Sequence, residues 1–279
     1  MDLRPKLYHE LISYYSMIAR LGLCEKGVPF QSQEMDIHLR LHHLSPQYAR
    51  IQPNMTIPTL VHEEVIKTSS LDILYYVDSS FQGPPLQPQD LSRYPHMQLW
   101  LNLHYQEPYL IESLTFAHLN LCNPLLRRII KKGLERQVKR IHQYSSENHD
   151  LTQFYLKKLA LIEDRRQRFS PERLQKTYDS ALQQIIQHLD KLEKQLQQQP
   201  WLTGAQYTLA DIVWTVFLSR LFFIDQEKLV ESRPAVYAYW RQVQRRPSFQ
   251  AAQICSTLSA TQIFKLLCAK IFSKNDLFD

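Results

Sequence analysis

Four consecutive hydroxyl side chains, Ser13-Tyr14-Tyr15-Ser16, follow the first segment with the pattern of a β-strand, Lys6–His9. A hydroxyl can donate a hydrogen bond to a bound ligand, or it can be used by the neighbouring backbone. Taken by themselves, these residues leave both roles open. A helical pattern begins at Ser16, so the hydroxyls are expected between a strand and the helix that follows it.

The four cysteines are too far apart for the usual metal and redox chemistry. Cys24, Cys122, Cys255 and Cys268 never form a C-x-x-C pair, which excludes a zinc knuckle and a thioredoxin-type redox pair. The sequence therefore predicts no metal site.

Charged residues also stand where a signal peptide would carry its apolar core, which predicts a reducing, cytoplasmic location.

Glycine is scarce, with five residues among 279. No two of them have the spacing of a dinucleotide fingerprint or of a P-loop, where glycine lets backbone N–H groups approach phosphate. Nucleotide-binding enzymes of those two kinds are excluded.

The most apolar stretch near the end, Ile263–Phe272, contains two lysines and is about half the length of a membrane-spanning helix, so no such helix is predicted.

Positive charge is concentrated in one segment. The net charge is +6, from 33 Lys and Arg against 27 Asp and Glu. Residues 126–173 alone hold 13 basic and 6 acidic side chains, and the rest of the chain is close to neutral. The sequence thus resembles a neutral protein with one basic insertion rather than a general polyanion binder.

The chain divides into two parts of different character. Residues 1–81 mix short strands and helices, and a linker rich in proline and glutamine follows at 82–90. Helical spacing dominates 91–279, with the basic helical insertion at about 126–173. The predicted strands and helices of the first part are Lys6–His9, Ser16–Lys26, Phe30–Met35, Ser45–Gln52, Pro58–Val61, Val65–Lys67 and Ser69–Ser79.

A helix start in the second part is sharply marked. Thr208-Leu209-Ala210-Asp211 precedes a long apolar run, and Thr208 and Asp211 have the spacing of a reciprocal N-terminal cap. Such a structural cap at a buried helix start should contribute about 1 kcal/mol or more, because water cannot reach the unpaired N–H groups there.

Three motifs resemble the glutathione transferase superfamily. Leu7-Tyr8 followed by Ser13 is similar to the serine-type classes, and residues 52–60, QPNMTIPTL, resemble the family segment whose proline is cis. Gly204 with Thr208–Asp211 resembles the cap of the family's sixth helix. The resemblance implies an α/β thioredoxin-like N-terminal domain plus an all-α C-terminal domain, glutathione as co-substrate without a metal, and a homodimer.

The resemblance also implies roles for individual residues. Ser13 would hydrogen-bond the glutathione sulfur and stabilise its thiolate, which is the competent nucleophile. The backbone of Ile57, before Pro58, would pair with the cysteinyl part of glutathione. Ser69 and Ser70 stand where the family usually has Glu-Ser at a helix N-terminus, which is a favourable position for the γ-glutamyl carboxylate.

Two departures from the family pattern concern the same ligand. Ser69 replaces the usual acid, which removes a charge-assisted contact of about 1.5–3 kcal/mol. Met55 stands where some relatives have a histidine that contacts the glycyl end. Both changes are expected to weaken glutathione binding.

A hydrophobic electrophile would bind between the domains, beside a predicted helix from about Tyr94 to His118. The residues expected to line this second-substrate site are Tyr105, Tyr109, Phe116 and His118. Aromatic side chains at such spacing are also typical of a core, so no particular substrate follows.

The basic insertion allows two interpretations. Its helices, near 126–141 and 151–168, are amphipathic and could lie on an anionic membrane surface or an acidic partner. Alternatively, they form a solvated hairpin that protrudes from the domain. Nucleic acid is not expected, because few aromatic residues accompany the charges. A narrower resemblance, to the ganglioside-induced differentiation-associated subgroup, rests on this insertion and on Gln199-Pro200-Trp201-Leu202. The segment Ala251–Phe272 is predicted to be a packing helix.

The first hypothesis is therefore a serine-type glutathione transferase. The alternative is a non-catalytic relative whose insertion binds a protein partner or an anionic membrane.

Overall fold

A computed structural model describes residues 3–105 and 110–257 of the chain. Its N-terminal part contains a four-stranded sheet in the order β2-β1-β3-β4, with β1 parallel to β2 and the other neighbours antiparallel. The strands are β1 (Lys6–His9), β2 (Gln31–Glu34), β3 (Thr59–His62) and β4 (Val65–Lys67). The helices of this part are α1 (Tyr14–Lys26), α2 (Pro46–Ile51) and α3 (Ser70–Ser80).

The parallel pair requires a crossover, and α1 supplies it. Its apolar residues Met17, Ile18 and Leu21 are buried against the helical domain. The helix ends at Gly27, whose φ of 73° is the left-handed conformation that glycine adopts at helix C-termini. α1 therefore both closes the sheet and fixes the position of the residues at its own N-terminus.

The described residues after the linker are helical except for short connections. The helices are α4 (Tyr94–Tyr105), α5 (Leu110–Cys122), α6 (Pro124–Glu147), α7 (Thr152–Arg166), α8 (Pro171–Leu196), α9 (Leu209–Phe223), α10 (Glu227–Glu231), α11 (Pro234–Val243) and α12 (Pro247–Ala251). α9 lies at the centre of the domain core, with Trp214 and Leu218 fully buried. The predicted fold, a mixed α/β domain followed by an all-helical domain, is confirmed.

One of two predicted helices in this part can be checked against the structure. The single helix expected from Tyr94 to His118 stays a prediction, because α4 and α5 lie on either side of residues 106–109, which are outside the described residues. The prediction of a helix that begins at Ala251 is wrong for its first residues. α12 ends at Ala251, and residues 252–257 are not helical. Arg20 Nε donates to the Ala252 carbonyl at 2.8 Å and holds this segment against α1. Residues 258–272 lie outside the described residues.

The insertion packs against the N-terminal domain, so the expected protruding hairpin is wrong. Leu134 and Ile141 of α6 and Tyr155 of α7 are buried in one cluster with Leu44 and Met55 of the N-terminal domain. The Tyr155 hydroxyl donates to the Leu44 carbonyl at 2.9 Å. The apolar faces seen in the sequence are therefore covered by the residues around α2, and the opposite faces remain exposed.

Among the described residues, no helix combines the length and the apolar character that crossing a membrane requires.

Candidate functional site at the start of α1

Ser13 occupies the N-cap position of α1. Its backbone is extended, with φ −65° and ψ 127°, and its side chain caps none of the helix amides. The residue is half-buried, and in the described part of the chain its hydroxyl forms no hydrogen bond. The first N–H groups of a helix lack intrahelical partners and carry partial positive charge. A free hydroxyl at such a position is suited to hold an anion.

The hydroxyls on either side of Tyr15 are already used. The Tyr14 hydroxyl lies 2.6 Å from Nε2 of His104 on α4, and both side chains are buried. Burial raises the pKa of Tyr14 well above its ordinary value and lowers the pKa of His104 to about 3, so both are neutral near pH 7. Ser16 is fully buried, and its oxygen accepts from the Glu10 N–H at 3.4 Å.

Tyr15 connects the same helix start to α5. Its hydroxyl donates to Oε2 of Glu112 at 2.8 Å, and its ring meets that of Tyr14 edge to face, with the centroids 5.1 Å apart. Burial raises the pKa of the Glu112 carboxyl, against the opposing effects of Tyr15, Arg165 and Arg220. Of the four hydroxyls at 13–16, Ser13 alone is therefore left for a ligand within the described structure.

Arg220 on α9 supports the segment before Ser13. Its Nη2 donates to the Ile12 carbonyl at 2.7 Å, and its guanidinium lies 5.7 Å from the centre of the Tyr14 ring. The residue is 6% exposed, and its Nε has no hydrogen-bond partner among the described residues. Burial lowers the pKa of Arg220. This cation therefore holds the carbonyl of the residue before Ser13, while the carboxylate of Glu10 accepts from the N–H of the same residue, Ile12, at 3.0 Å.

The predicted carboxylate position lies at the start of α3. Ser69 is the N-cap; its Oγ accepts from the Asp72 N–H at 3.1 Å and donates to Asp72 Oδ2 at 2.7 Å. Ser70 is buried, and its hydroxyl lies 2.9 Å from that of Tyr105. Both serine hydroxyls therefore have protein partners, and Asp72 places a carboxylate at this helix start.

The segment before β3 lies outside the sheet ladder. The Ile57–Pro58 bond is cis. β3 begins at Thr59, so the sheet ladder does not reach Ile57. Met55, expected near the glycyl end of glutathione, is fully buried beneath the insertion, and its carbonyl accepts from Lys158 Nζ at 2.9 Å.

Three of the four residues predicted to line the second-substrate site are described, and each contacts a different neighbour. Tyr105 lies on α4 beside Ser70, and Tyr109 is outside the described residues. Phe116, one helical turn after Glu112, packs edge to face on Phe169, with centroids 5.1 Å apart. His118 instead stacks on Tyr178 of α8 at 6.1 Å. A shared wall of these four side chains remains a prediction.

Sequence reasoning missed three polar residues of this region. His104, Glu112 and Arg220 lie on α4, α5 and α9 and contact the residues at 12–15. Glu112 and Arg220 are isolated charges in apolar helices, and such charges are rarely buried without a partner. That pattern was the signal available in the sequence.

The structural cap at Thr208 and Asp211 is well formed. The Thr208 N–H donates to Asp211 Oδ2 at 2.9 Å, and the Leu202 N–H donates to Asp211 Oδ1 at 3.0 Å. The Tyr239 hydroxyl also donates to Asp211 Oδ1, at 3.2 Å. The cap therefore joins α9 to α11 and to the loop before α9, and it positions the helix that carries Arg220.

Two segments of the chain match known protein families. Residues 7–85 match the family described as glutathione S-transferase, N-terminal domain, and residues 147–247 match glutathione S-transferase, C-terminal domain. This chain belongs to the glutathione transferase superfamily. Residues 86–146, with α4, α5 and most of α6, lie between the two matches.

Relatives of this superfamily member match over most of its length. It is 25% identical to the tetrachloro-p-hydroquinone reductive dehalogenase of Sphingobium chlorophenolicum, over 89% of this chain and 95% of the relative. It is 26% identical to the human ganglioside-induced differentiation-associated protein 1-like 1, over 88% and 72%. Glutathione transferase F7 of Populus trichocarpa shares the fold, with a TM-score of 0.65 at 19% identity, over 89% of this chain and 97% of that one.

Proposed function

We propose that this member of the superfamily binds glutathione and that Ser13 stabilises the thiolate for attack on a hydrophobic electrophile. The observation that supports this role is the Ser13 hydroxyl at the N-terminus of α1, which has no hydrogen-bond partner among the described residues. A thiolate there would accept a hydrogen bond from the hydroxyl and interact favourably with the helix dipole. Both effects favour the anion and lower the pKa of the thiol.

The remaining glutathione contacts would come from backbone and helix termini. The peptide edge at Ile57 can pair with the cysteinyl backbone as an added strand does. Ser69 and Ser70 would offer the N-terminus of α3 to the γ-glutamyl carboxylate. Asp72 is hydrogen-bonded to Ser69 and supplies an acid for the γ-glutamyl amine, although the family's usual acid is absent from position 69.

The electrophile would meet the thiolate between α1 and the helical domain. Tyr15 and Glu112 form a polar element at this junction, and Phe116 continues the α5 face one turn further. One relative is named a reductive dehalogenase of tetrachloro-p-hydroquinone. A halogenated hydroquinone is therefore a rational test substrate beside 1-chloro-2,4-dinitrobenzene, a general acceptor for glutathione conjugation.

Two measurements test this function together. Titration calorimetry with glutathione should give heat at millimolar ligand or below, and conjugation activity should fall by about 10²-fold or more in Ser13→Ala. Ser79→Ala, an exposed serine at the far end of α3, is the matched control and should retain activity. Equal activity in Ser13→Ala and Ser79→Ala would contradict the role of Ser13.

The second candidate function is a non-catalytic relative whose insertion binds a partner or a membrane. One specific observation favours it: the hydroxyls of Ser69 and Ser70 are already bound to Asp72 and Tyr105. Absence of heat with millimolar glutathione, in protein that melts cooperatively, would favour this candidate over the enzyme.

A further inference from the structure

The outward face of α6 carries an unusual combination of side chains. Two exposed aliphatic residues, Leu125 at 68% and Ile129 at 52% exposure, lie among exposed basic residues, and the exposed carboxylate of Glu135 lies at the edge of this stripe. Helical spacing places all members of this face within one stripe about 20 Å long. The outward face consists of Leu125, Arg128, Ile129, Lys132, Arg136 and Lys139.

The orientation of this face is fixed by the opposite side of the helix. Leu134 and Ile141 are 4% and 1% exposed and pack in the cluster that includes Leu44 and Met55 of the N-terminal domain. Rotation of α6 would expose these buried residues to water, which is unfavourable. The outward face is therefore held away from the body of the protein.

The basic residues of the two insertion helices are used differently. On α7, Arg166 pairs with Glu163 at 2.7 Å, and Arg168, in the turn after α7, pairs with Asp164. Lys158 is bound to the Met55 carbonyl. In the described part of the chain, by contrast, none of the four cations of the outward face forms an ion pair. Among the described residues of the insertion, exposed cations without an ion pair are therefore concentrated on α6, whereas most basic side chains of α7 are held by an ion pair or by hydrogen bonds to the N-terminal domain.

We propose that the outward face of α6 docks on the surface of an anionic phospholipid bilayer. Leu125 and Ile129 would enter the headgroup region while the four cations contact lipid phosphates, as interfacial amphipathic helices do. The exposed aliphatic pair favours a lipid over an acidic protein, because cations alone would suffice for a charged partner. This interaction goes beyond the proposed transferase function and does not depend on it.

Vesicle co-sedimentation of the full chain tests the proposal. The probes are phosphatidylcholine vesicles with and without 30% phosphatidylserine, at low and at high salt. The charge variant is R128Q/K132Q/R136Q/K139Q, and the apolar variant is L125S/I129S. The matched control, K176Q/K191Q/K194Q/R241Q, removes the same charge from exposed residues of α8 and α11. Circular dichroism checks that every variant is folded.

The wild type and the control should bind the anionic vesicles and lose binding at high salt. The charge variant should lose about tenfold or more of the affinity, and the apolar variant should bind severalfold more weakly. Absence of wild-type binding, or equal loss in the charge variant and the control, would overturn the proposal. Binding of polyglutamate that the apolar variant retains, without binding to vesicles, would indicate an acidic protein instead.

Discussion

The Tyr15 hydroxyl lies 2.8 Å from Oε2 of Glu112 and joins the first turn of α1 to the first turn of α5. The hydrogen bond crosses between the two domains two residues after Ser13. Because burial raises the pKa of Glu112, the carboxyl depends on this partner for part of its stabilisation when ionised. The pair therefore contributes both to domain docking and to the placement of the helix start.

Removal of the phenol oxygen should uncouple the two domains at this point. Tyr15→Phe leaves the Glu112 carboxyl without its donor, and we expect the free energy of unfolding to fall by about 1–3 kcal/mol. Glu112→Gln should cost less, because an amide oxygen can still accept from Tyr15. Urea unfolding of both variants and of the double variant gives the coupling energy.

A second tyrosine provides the control for that cycle. Tyr237 on α11 is also half-buried, and within the described residues its hydroxyl forms no hydrogen bond. Tyr237→Phe should change stability by no more than about 0.5 kcal/mol. If Tyr15→Phe were equally mild, the proposed contribution of the Tyr15–Glu112 pair would be wrong.

The sequence alone was sufficient to predict the structural features that are encoded by neighbouring residues. The strand and helix order of the first domain follows from short apolar patterns, and the cis Ile57–Pro58 bond was expected from the surrounding family motif. Tyr15 and Glu112 could not be paired in advance, because 97 residues separate them and neither position has a distinctive pattern.

The packing of the insertion also depends on contacts between residues that are far apart in the sequence. The spacing of Leu134 and Ile141 predicts that one face of α6 is apolar, but periodicity does not say what covers it. Leu44 and Met55 of the N-terminal domain pack on this face. Helical periodicity cannot predict such a contact, because these residues are far from α6 in the sequence. A protruding hairpin was therefore a reasonable expectation that long-range packing overturned.

Because the insertion packs on the N-terminal domain, a change in the insertion should also alter the protection of N-terminal amides against hydrogen exchange. Ile162 and Leu161 are neighbours on α7, but Ile162 is 4% exposed in the shared cluster and Leu161 is 58% exposed. Ile162→Ala should lower the free energy of unfolding by about 2–5 kcal/mol and reduce amide exchange protection at residues 41–55. Hydrogen exchange with mass spectrometry measures that protection.

Leu161→Ala is the matched control and should leave the exchange of residues 41–55 unchanged. Because its side chain is mostly in water, its effect on stability should stay within about 0.5 kcal/mol. Exchange at 41–55 that is identical in both variants would show that the insertion does not stabilise the N-terminal domain.

Lys158 should make the packing of the insertion on the N-terminal domain sensitive to pH. Burial, together with the nearby charge of Arg165, lowers the pKa of Lys158 to about 8, and its ammonium donates to the carbonyls of Met55 and Asn54. The unfolded chain, with an ordinary lysine pKa near 10.4, binds the proton more tightly. Stability contributed at this site should therefore rise as the pH increases from about 8 to about 10.

Thermal unfolding between pH 7 and pH 10 measures this effect. Relative to Lys158→Met, the wild type should gain about 1–3 kcal/mol across the interval. Lys157→Met alters the exposed neighbour, whose ammonium donates to Asn54 Oδ1 at 3.2 Å, and its profile should run parallel to the wild type. A constant difference between the wild type and Lys158→Met at every pH would contradict the expectation.

Alteration of the Asp211 carboxylate should lower the stability of the fold strongly. It is fully buried and accepts hydrogen bonds from the backbone N–H groups of Thr208 and Leu202 and from the Tyr239 hydroxyl. Burial raises its pKa to about 6, so at pH 7.5 it is ionised and accepts through both oxygens. Asp211→Asn turns an N–H group toward one of these donors and should cost about 2–4 kcal/mol.

The expected loss is specific to the buried cap. Asp179→Asn removes the same charge from the exposed surface of α8, where the carboxylate accepts only from Gln175 among the described residues, and it should shift the unfolding midpoint little. Because Asp211 also fixes α9, which carries Arg220, Asp211→Asn should raise the exchange rate of amides at residues 12–16. A midpoint equal to that of Asp179→Asn would show that the buried hydrogen bonds around Asp211 add nothing to the stability of the fold.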